Sequence, residues 1–275
     1  MTTQAEKARV FRELHARPQA FVVANPWDAG TAKLLTAIGY EALATTSLGF
    51  ANTLGRVDGA LAVSRAELIE NCRAICAATP LPVTADLENG YADAPRESAT
   101  IIAAAAGAGV VGGSIEDATG DPRKPIYDFS LAVERVAAAV EAARALPFPF
   151  TLTARAENLL HGRHDMDDTI RRLQAFEAAG ADVLYAPGLR DLDSVRTVVA
   201  SLKKPVNVVM SAFDPALHVK DLEALGVRRI SVGGAMSRVA LAAFLKSARD
   251  LKEHGSFAWL RDAIPTRDLV PMFRD

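Results

Sequence analysis

Two acids one residue apart, Asp86 and Glu88, close the stretch Pro82-Val-Thr-Ala-Asp-Leu-Glu-Asn-Gly90. The run before them is apolar and β-leaning, the composition of a buried strand. Strand side chains alternate between faces, so both acids point the same way if the strand continues through Leu87. A third acid, Glu116, ends a similar run, Val110–Glu116. Three carboxylates at one rim repel each other unless a cation sits among them. Mg2+, a hard ion that takes a few carboxylates and keeps several waters, answers that need. Asp86, Glu88 and Glu116 are therefore the candidate metal ligands. Arg155, at the end of Phe150–Arg155, could balance the remaining charge and grip a carboxylate ligand with its planar fork. The plainer alternative is a ring of salt bridges. No Cys/His spacing of a zinc site occurs in the chain.

Other residues carry weaker signals. Thr45-Thr46-Ser47-Leu48-Gly49 joins hydroxyls to a glycine-containing turn, which could hold a carboxylate or phosphoryl group or could be an ordinary strand exit. Asp58, in Arg56-Val-Asp-Gly59, reads from its residues as an Asx turn. His161 and His164 could donate protons, although solvated loop positions explain them as well. Tyr91 and Tyr185 could donate to a substrate oxygen or be ordinary strand-end aromatics, and Trp27 could wall a pocket, although packing explains it better. Arg123 and Lys124 could close over an anion as a lid or belong to a charged surface loop. Cys72 and Cys76 lie four apart on a helical pattern, a poor disulfide geometry, and read as small apolar packers. That cysteine usage suits a reducing cytoplasm.

The elements that must position these side chains alternate along the chain. Short β-branched runs occur at Phe21–Ala24, Ala42–Thr46, Val83–Asp86, Val110–Glu116, Phe150–Arg155, Val183–Ala186, Val206–Met210 and Arg229–Val232. Helical patterns follow at about 28–38, 64–78, 95–107, 130–145, 167–179, 191–201, 217–225 and 235–252, with a lead-in helix at 4–16. Eight such units predict a (β/α)8 TIM-type barrel forming one domain over residues 1–275. Asn25-Pro-Trp-Asp-Ala-Gly30 is not the glycine fingerprint of a dinucleotide fold. In a barrel the chemistry sits at the C-terminal ends of the strands. The acids, Arg155 and the hydroxyl cluster all fall there, whereas Pro82, Pro149 and Pro205 mark strand starts. Helix 235–252 is apolar all around its first half, which suits burial in a partner subunit. The tail from about 255 is amphipathic without clear period and is expected to pack on a neighbouring surface. A formal charge of -2 with both signs scattered gives no nucleic-acid stripe. No apolar run approaches the roughly 18 residues of a membrane span, and the N-terminus has no signal-peptide core.

Seven stretches in order resemble the isocitrate lyase / phosphoenolpyruvate mutase superfamily: Asn25-Pro-Trp-Asp-Ala-Gly30, Thr45-Thr-Ser-Leu-Gly49, Asp86-Leu-Glu-Asn-Gly-Tyr91, Ser114-Ile-Glu-Asp117, Thr153-Ala-Arg-Ala-Glu157, Ala178-Ala-Gly-Ala-Asp182 and Pro205-Val-Asn207. The resemblance covers about residues 18–250. It implies a barrel whose last helix is swapped between subunits of a homodimer or homotetramer. It also implies Mg2+ and small 2-oxo acids or related carboxylates, with C–C or C–P bonds made or broken through enolate-like intermediates. Carried over by position, Asp86 resembles the carboxylate nearest the metal, and Glu88 and Glu116 those that hold its waters. Ser47, Leu48 and Gly49, after Thr46, match the turn for the substrate carboxylate. Asp58 matches a site acid, Arg155 the substrate-gripping arginine and Asn207 the strand-7 asparagine. One departure narrows the activity. The lyases of the family carry a catalytic Cys in the loop after strand 4, and here Glu116–Asp128 holds neither Cys nor His. The loop also lacks the mutase pattern of Lys and Asn. The expectation is a Mg2+-dependent carbon–carbon lyase or oxaloacetate-type decarboxylase. A phosphonopyruvate-type C–P hydrolase or mutase, and a 2-oxo-acid-binding protein without turnover, are the alternatives.

Overall fold

The computed structural model describes residues 2–59, 61–210 and 213–274. Eight parallel strands close into a barrel in sequence order: β1 (Phe21–Ala24), β2 (Ala42–Ala44), β3 (Val83–Asp86), β4 (Gly112–Glu116), β5 (Thr151–Arg155), β6 (Val183–Tyr185), β7 (Val206–Val209) and β8 (Arg229–Ser231). β8 returns to β1 with Phe21 opposite Arg229. The TIM-type (β/α)8 barrel expected from the alternation is therefore the fold.

Helices α1 (Gln4–Ala16), α2 (Ala29–Ile38), α3 (Ser47–Thr53), α4 (Arg65–Ala77), α5 (Pro95–Gly107), α6 (Phe129–Arg144), α7 (Met166–Ala178), α8 (Leu192–Ala200), α9 (Val219–Ala224), α10 (Ala235–His254) and α11 (Thr266–Leu269) complete the chain. Local signals set their starts. Thr3, Asp28 and Ser64 each accept from the backbone of the third helical residue, whose side chain bonds back to the cap. Pro95 opens α5, where its missing N–H costs nothing. α3 is the element the pattern did not reveal. β2 stops at Ala44, Thr45 turns out of the strand, and Thr46 caps a seven-residue helix through Gly49 N–H.

α1 plugs the N-terminal end of the barrel. Phe11 is fully buried, edge-on to Phe21 and His15, and clusters with Val23, Ala42, Ala44 and Val111. Gly112 is what lets it in, since a Cβ there would lie 2.9 Å from Phe11 Cε1. Gly113 likewise makes room for Leu87. The glycine pair thus serves packing.

α10 departs from the barrel after its first turn. Ser237 is its one buried residue, and Val239 (70% exposed) and Phe244 (67%) face solvent in the single chain. The tail folds into a short 3-10 turn (Ala258–Asp262), α11 and a second 3-10 turn (Val270–Phe273). It lies back on α2, where Lys33 Nζ donates to Phe273 O. Among the described residues, no helix is long and apolar enough to cross a membrane.

Candidate active site

Four acids converge at the C-terminal ends of β3, β4 and β5, and one arginine holds three of them. Arg155 donates from Nη1 to Asp86 Oδ1 (2.9 Å) and from Nε to Glu157 Oε1 (2.7 Å). Its Nη2 pairs with Glu116 Oε2 at 3.2 Å. The register brings them together, because Glu116 lies opposite Arg155 and Asp86 opposite Ser114 across neighbouring strands. A guanidinium has five N–H donors, so Arg155 keeps some for a ligand. Its three acid partners give it the charge-balancing place that the sequence reading offered. Its ring neighbour is Tyr185, 5.1 Å from the guanidinium carbon.

Glu88 reaches the cluster by a route other than a continued strand. β3 ends at Asp86, and Glu88 sits in the left-handed region at φ 52, as does Tyr91 at φ 61. Such backbone is strained for a side-chain-bearing residue and persists only where the surroundings enforce it. Here Glu116 N–H donates to Glu88 O, and Tyr91 N–H to Asn89 Oδ1. Arg135 donates to the carbonyls of Asn89, Ala92 and Asp93. Gly90 is required at φ 78, since a Cβ would lie 2.8 Å from Ser98 O.

Burial and mutual repulsion disfavour the charged form of two of these carboxyls. Burial, reinforced by the Asp86 and Asp58 charges, pushes the Glu88 carboxyl up to about 8. Burial also lifts Glu116 well above the carboxylate range, and Glu157, Asp86 and Glu88 add to this against the opposing pull of Arg155. Arg155 is desolvated too, but Glu157, Glu116 and Asp86 outweigh that and keep it charged. Asp58 is exposed on the loop after α3, yet partial desolvation and then Asp86 raise its pKa.

A cavity of about 200 Å3 opens over the cluster, lined by Ser47, Asp58, Glu88, Glu116, Arg155 and His161 among others. A second, of about 60 Å3, runs below it into the barrel, lined by Thr46, Asp86, Arg155, Tyr185, Asn207 and Arg229 among others. The candidate residues Thr46, Ser47, Asp58, Asp86, Glu88, Glu116, Arg155 and Asn207 thus all line one or the other. Gly49 and Leu48 support the rim. A Cβ at Gly49 would meet Thr46 and Trp27 within 2.9 Å, and Leu48 packs under Gly234. A larger cavity, about 660 Å3, lies at the opposite end beside Arg12 and His15, among the strand starts and away from the acids.

Several signals resolve into structural roles. Asp117 accepts from Glu157 N–H and from Arg172, anchoring the rim. Asn25 takes the N–H groups of Val232 and Gly233 and donates to Thr45 O, tying β1 to its neighbours. Arg123 pairs with Asp121 and Lys124 with Asp128 within their own loop, so neither closes over the site. His164 is exposed and lines neither cavity. Burial pushes the Cys76 thiol up to about 12 and Cys72 higher still, which removes both as nucleophiles. Glu157, which closes the stretch Thr153-Ala-Arg-Ala-Glu157, emerges as a full member of the cluster, and Arg229 enters the cavity without having been singled out. A signal for Arg229 existed, since alternation puts it on the same face of β8 as Ser231.

The family model for phosphoenolpyruvate phosphomutase matches residues 11–252. The chain belongs to this family. Its relatives extend across the isocitrate lyase / phosphoenolpyruvate mutase superfamily. A solved Burkholderia cenocepacia structure, described provisionally as a lyase/mutase, is 54% identical with a TM-score of 0.96, covering 99% of this chain and 97% of that one. An oxaloacetate decarboxylase of Ectopseudomonas mendocina is 29% identical over 89% of this chain and 84% of its own length. Oxaloacetate acetylhydrolase, solved with its product oxalate, is 26% identical with a TM-score of 0.88, covering 99% and 95%. Members of the superfamily are lyases, mutases and decarboxylases, which supports an enzyme.

The acids suit a metal of one kind. Among the described residues, no three acidic, histidine or cysteine side chains converge as direct ligands of one ion. The carboxylate oxygens of Asp86, Glu88 and Glu116 are a donor set that fits Mg2+, which is commonly held by one or two carboxylates while keeping waters that further acids can orient.

Proposed function

We propose that this family member is a Mg2+-dependent carbon–carbon lyase or decarboxylase acting on a 2-oxo dicarboxylate such as oxaloacetate. The observation that carries the reading is the cluster of Asp86, Glu88, Glu116 and Glu157 at one rim around a single arginine, where burial and mutual repulsion raise the carboxyls of Glu88 and Glu116. Asp86 would hold the ion, with Glu88 and Glu116 orienting its waters. The ion would supply a positive centre for negative charge developing on the substrate's keto oxygen. Arg155 keeps the acids in register and lends its remaining donors to the substrate. Ser47 lines the cavity where a substrate carboxylate would rest, and Asp58, from the loop that follows the same helix α3, flanks it beside Ser47. Relatives that act on oxaloacetate support this substrate class.

One observation favours decarboxylation over aldol-type cleavage. The loop after β4 is folded on itself, with Ala118 bridged to Ile126, and presents no acid–base side chain of its own to the cavity beyond Glu116. Loss of CO2 from a β-keto acid needs less proton transfer than lyase cleavage. The same poverty keeps a binding protein without turnover as the second reading.

A proton NMR time course with Mg2+ tests the proposal on oxaloacetate, 2-oxoglutarate, phosphonopyruvate, 2-methylisocitrate and dimethylmalate. Each run is compared with an EDTA control and with Asp86→Ala. The expected result is conversion of oxaloacetate that needs both Mg2+ and Asp86. Turnover of phosphonopyruvate alone would replace it with C–P chemistry. Broadened ligand lines without product would establish the binding protein.

A further inference from the structure

Barrel interiors are usually filled by branched aliphatic side chains, but this one holds a buried cation without an acid. Arg229 is 4% exposed. It donates from Nε to Asn207 Oδ1 (2.8 Å) and from Nη1 to Thr153 Oγ1 (3.0 Å), both neutral acceptors. Among the described residues, no carboxylate pairs with it. Burial lowers its pKa to about 10, opposed by Tyr185 and assisted by the repelling Arg155. From below, His15 is held neutral by burial and adds no negative charge. An uncompensated buried charge is among the costliest features a fold carries. Asn207 is itself fixed by Ser231, to which it donates at 3.1 Å, so the guanidinium is held in place. Arg229 and Tyr185 both line the cavity of about 60 Å3 below the acid cluster, and Arg155 lines this cavity and the one above. That volume is about two waters' worth, the size of one carboxylate group and small for a phosphoryl group.

We infer that Arg229 and Tyr185 form a carboxylate subsite at the cavity floor, and that it takes the distal carboxylate of a dicarboxylate substrate. The second half of the inference rests on the function proposed above; the first does not. Arg155 is already surrounded by three acids, so among the described residues lining the two cavities Arg229 is the arginine left without an acid for a small anion to meet.

Formate is the probe for the subsite itself. Its binding is followed by thermal shift in EDTA at constant ionic strength, in wild type, Arg229→Gln and Tyr185→Phe. Saturable stabilisation of wild type, weakened about tenfold or more in Arg229→Gln as expected for loss of a charge-assisted bidentate contact and to a smaller degree in Tyr185→Phe, supports the subsite. No response in wild type, or an equal response in Arg229→Gln, overturns it. Wild-type crystals grown with formate decide the same point without a variant: formate against Arg229 supports the assignment, and formate elsewhere only overturns it. With Mg2+ present, wild type is expected to prefer oxaloacetate to pyruvate, and Arg229→Gln to lose that preference. A preference that survives the substitution overturns the assignment of the distal carboxylate. If no 2-oxo acid binds while formate binding still depends on Arg229, the subsite stands and the 2-oxo-acid reading falls.

Discussion

At the scale of single residues, Asp86 and Arg155 do different work that two substitutions separate. Asp86 caps β3, takes one bond from Arg155 and accepts Glu88 N–H at 3.4 Å. Removing its carboxylate leaves Arg155 with Glu116 and Glu157, so the cluster stays compact. Asp86→Ala is expected to keep the fold and to abolish Mg2+-dependent oxalate binding in calorimetry; unchanged affinity would remove Asp86 from the metal site. Arg155→Lys is harsher. A lysine is a point charge without the fork and cannot span three acids on different strands. Ligand affinity is expected to fall about tenfold or more, together with a lower melting temperature, since breaking a buried pair costs about 3–5 kcal/mol. A variant that melts with wild type and binds equally would show that the fork is dispensable.

At the scale of elements, α1 is a working part of the barrel, and its chemistry makes it sensitive to acid. Phe11→Ala is expected to cost about 3–5 kcal/mol, the usual price of a large core cavity, as read from urea midpoints. His15 adds a pH dependence. Its Nδ1 meets Phe11 O at 2.8 Å, its Nε2 has no partner, and burial followed by the Arg229 charge drives its pKa from 6.5 to about 3. The unfolded chain takes up a proton near pH 6.5 that the native state refuses until about pH 3. Stability therefore falls as pH drops across that window, by up to about 1.4 kcal/mol per pH unit. His15→Leu should flatten this fall relative to wild type in urea titrations at several pH values; parallel pH profiles would show that His15 does not titrate differently in the two states. The plug also shows what the sequence could and could not disclose. Strand and helix alternation made the barrel legible, because period and caps are local properties. The function of Gly112 was not legible, because it depends on Phe11, about a hundred residues away in the chain. α3 was hidden for a related reason: Thr46 serves as strand exit and helix cap at once. The acids of the site were visible from alternation and rim position. The left-handed turn that delivers Glu88 was not, because Arg135 and Ser98 enforce it from other elements. Arg229 escaped notice because a charged residue opening a strand looks like a solvated end until the barrel closes around it.

At the scale of the whole molecule, the unfinished feature is α10. A helix of 20 residues with Val239, Leu241, Phe244 and Leu245 exposed leaves its apolar side without a partner in one chain. Apolar side chains gathered on one helix mark an interaction surface more often than chance exposure. The superfamily resemblance implies that this helix is exchanged with a second copy, and the geometry is compatible, since α10 stands clear of its own barrel after Ser237. We expect a homodimer or homotetramer in solution. Phe244→Glu with Val239→Glu would place two charges in a buried interface, where unpaired ions are strongly disfavoured. Light scattering should then show smaller particles than wild type. The barrel's own core does not include either residue, so circular dichroism should keep its helical signal. Because α10 follows β8 directly through Gly233 and Gly234, and Gly234 packs on Leu48 of the rim, the dissociated form should also bind Mg2+ and oxalate more weakly. A monomeric wild type would overturn the exchange. A dissociated variant with undiminished ligand affinity would show that assembly and site are independent, and that α10 stabilises the oligomer without shaping the cavity.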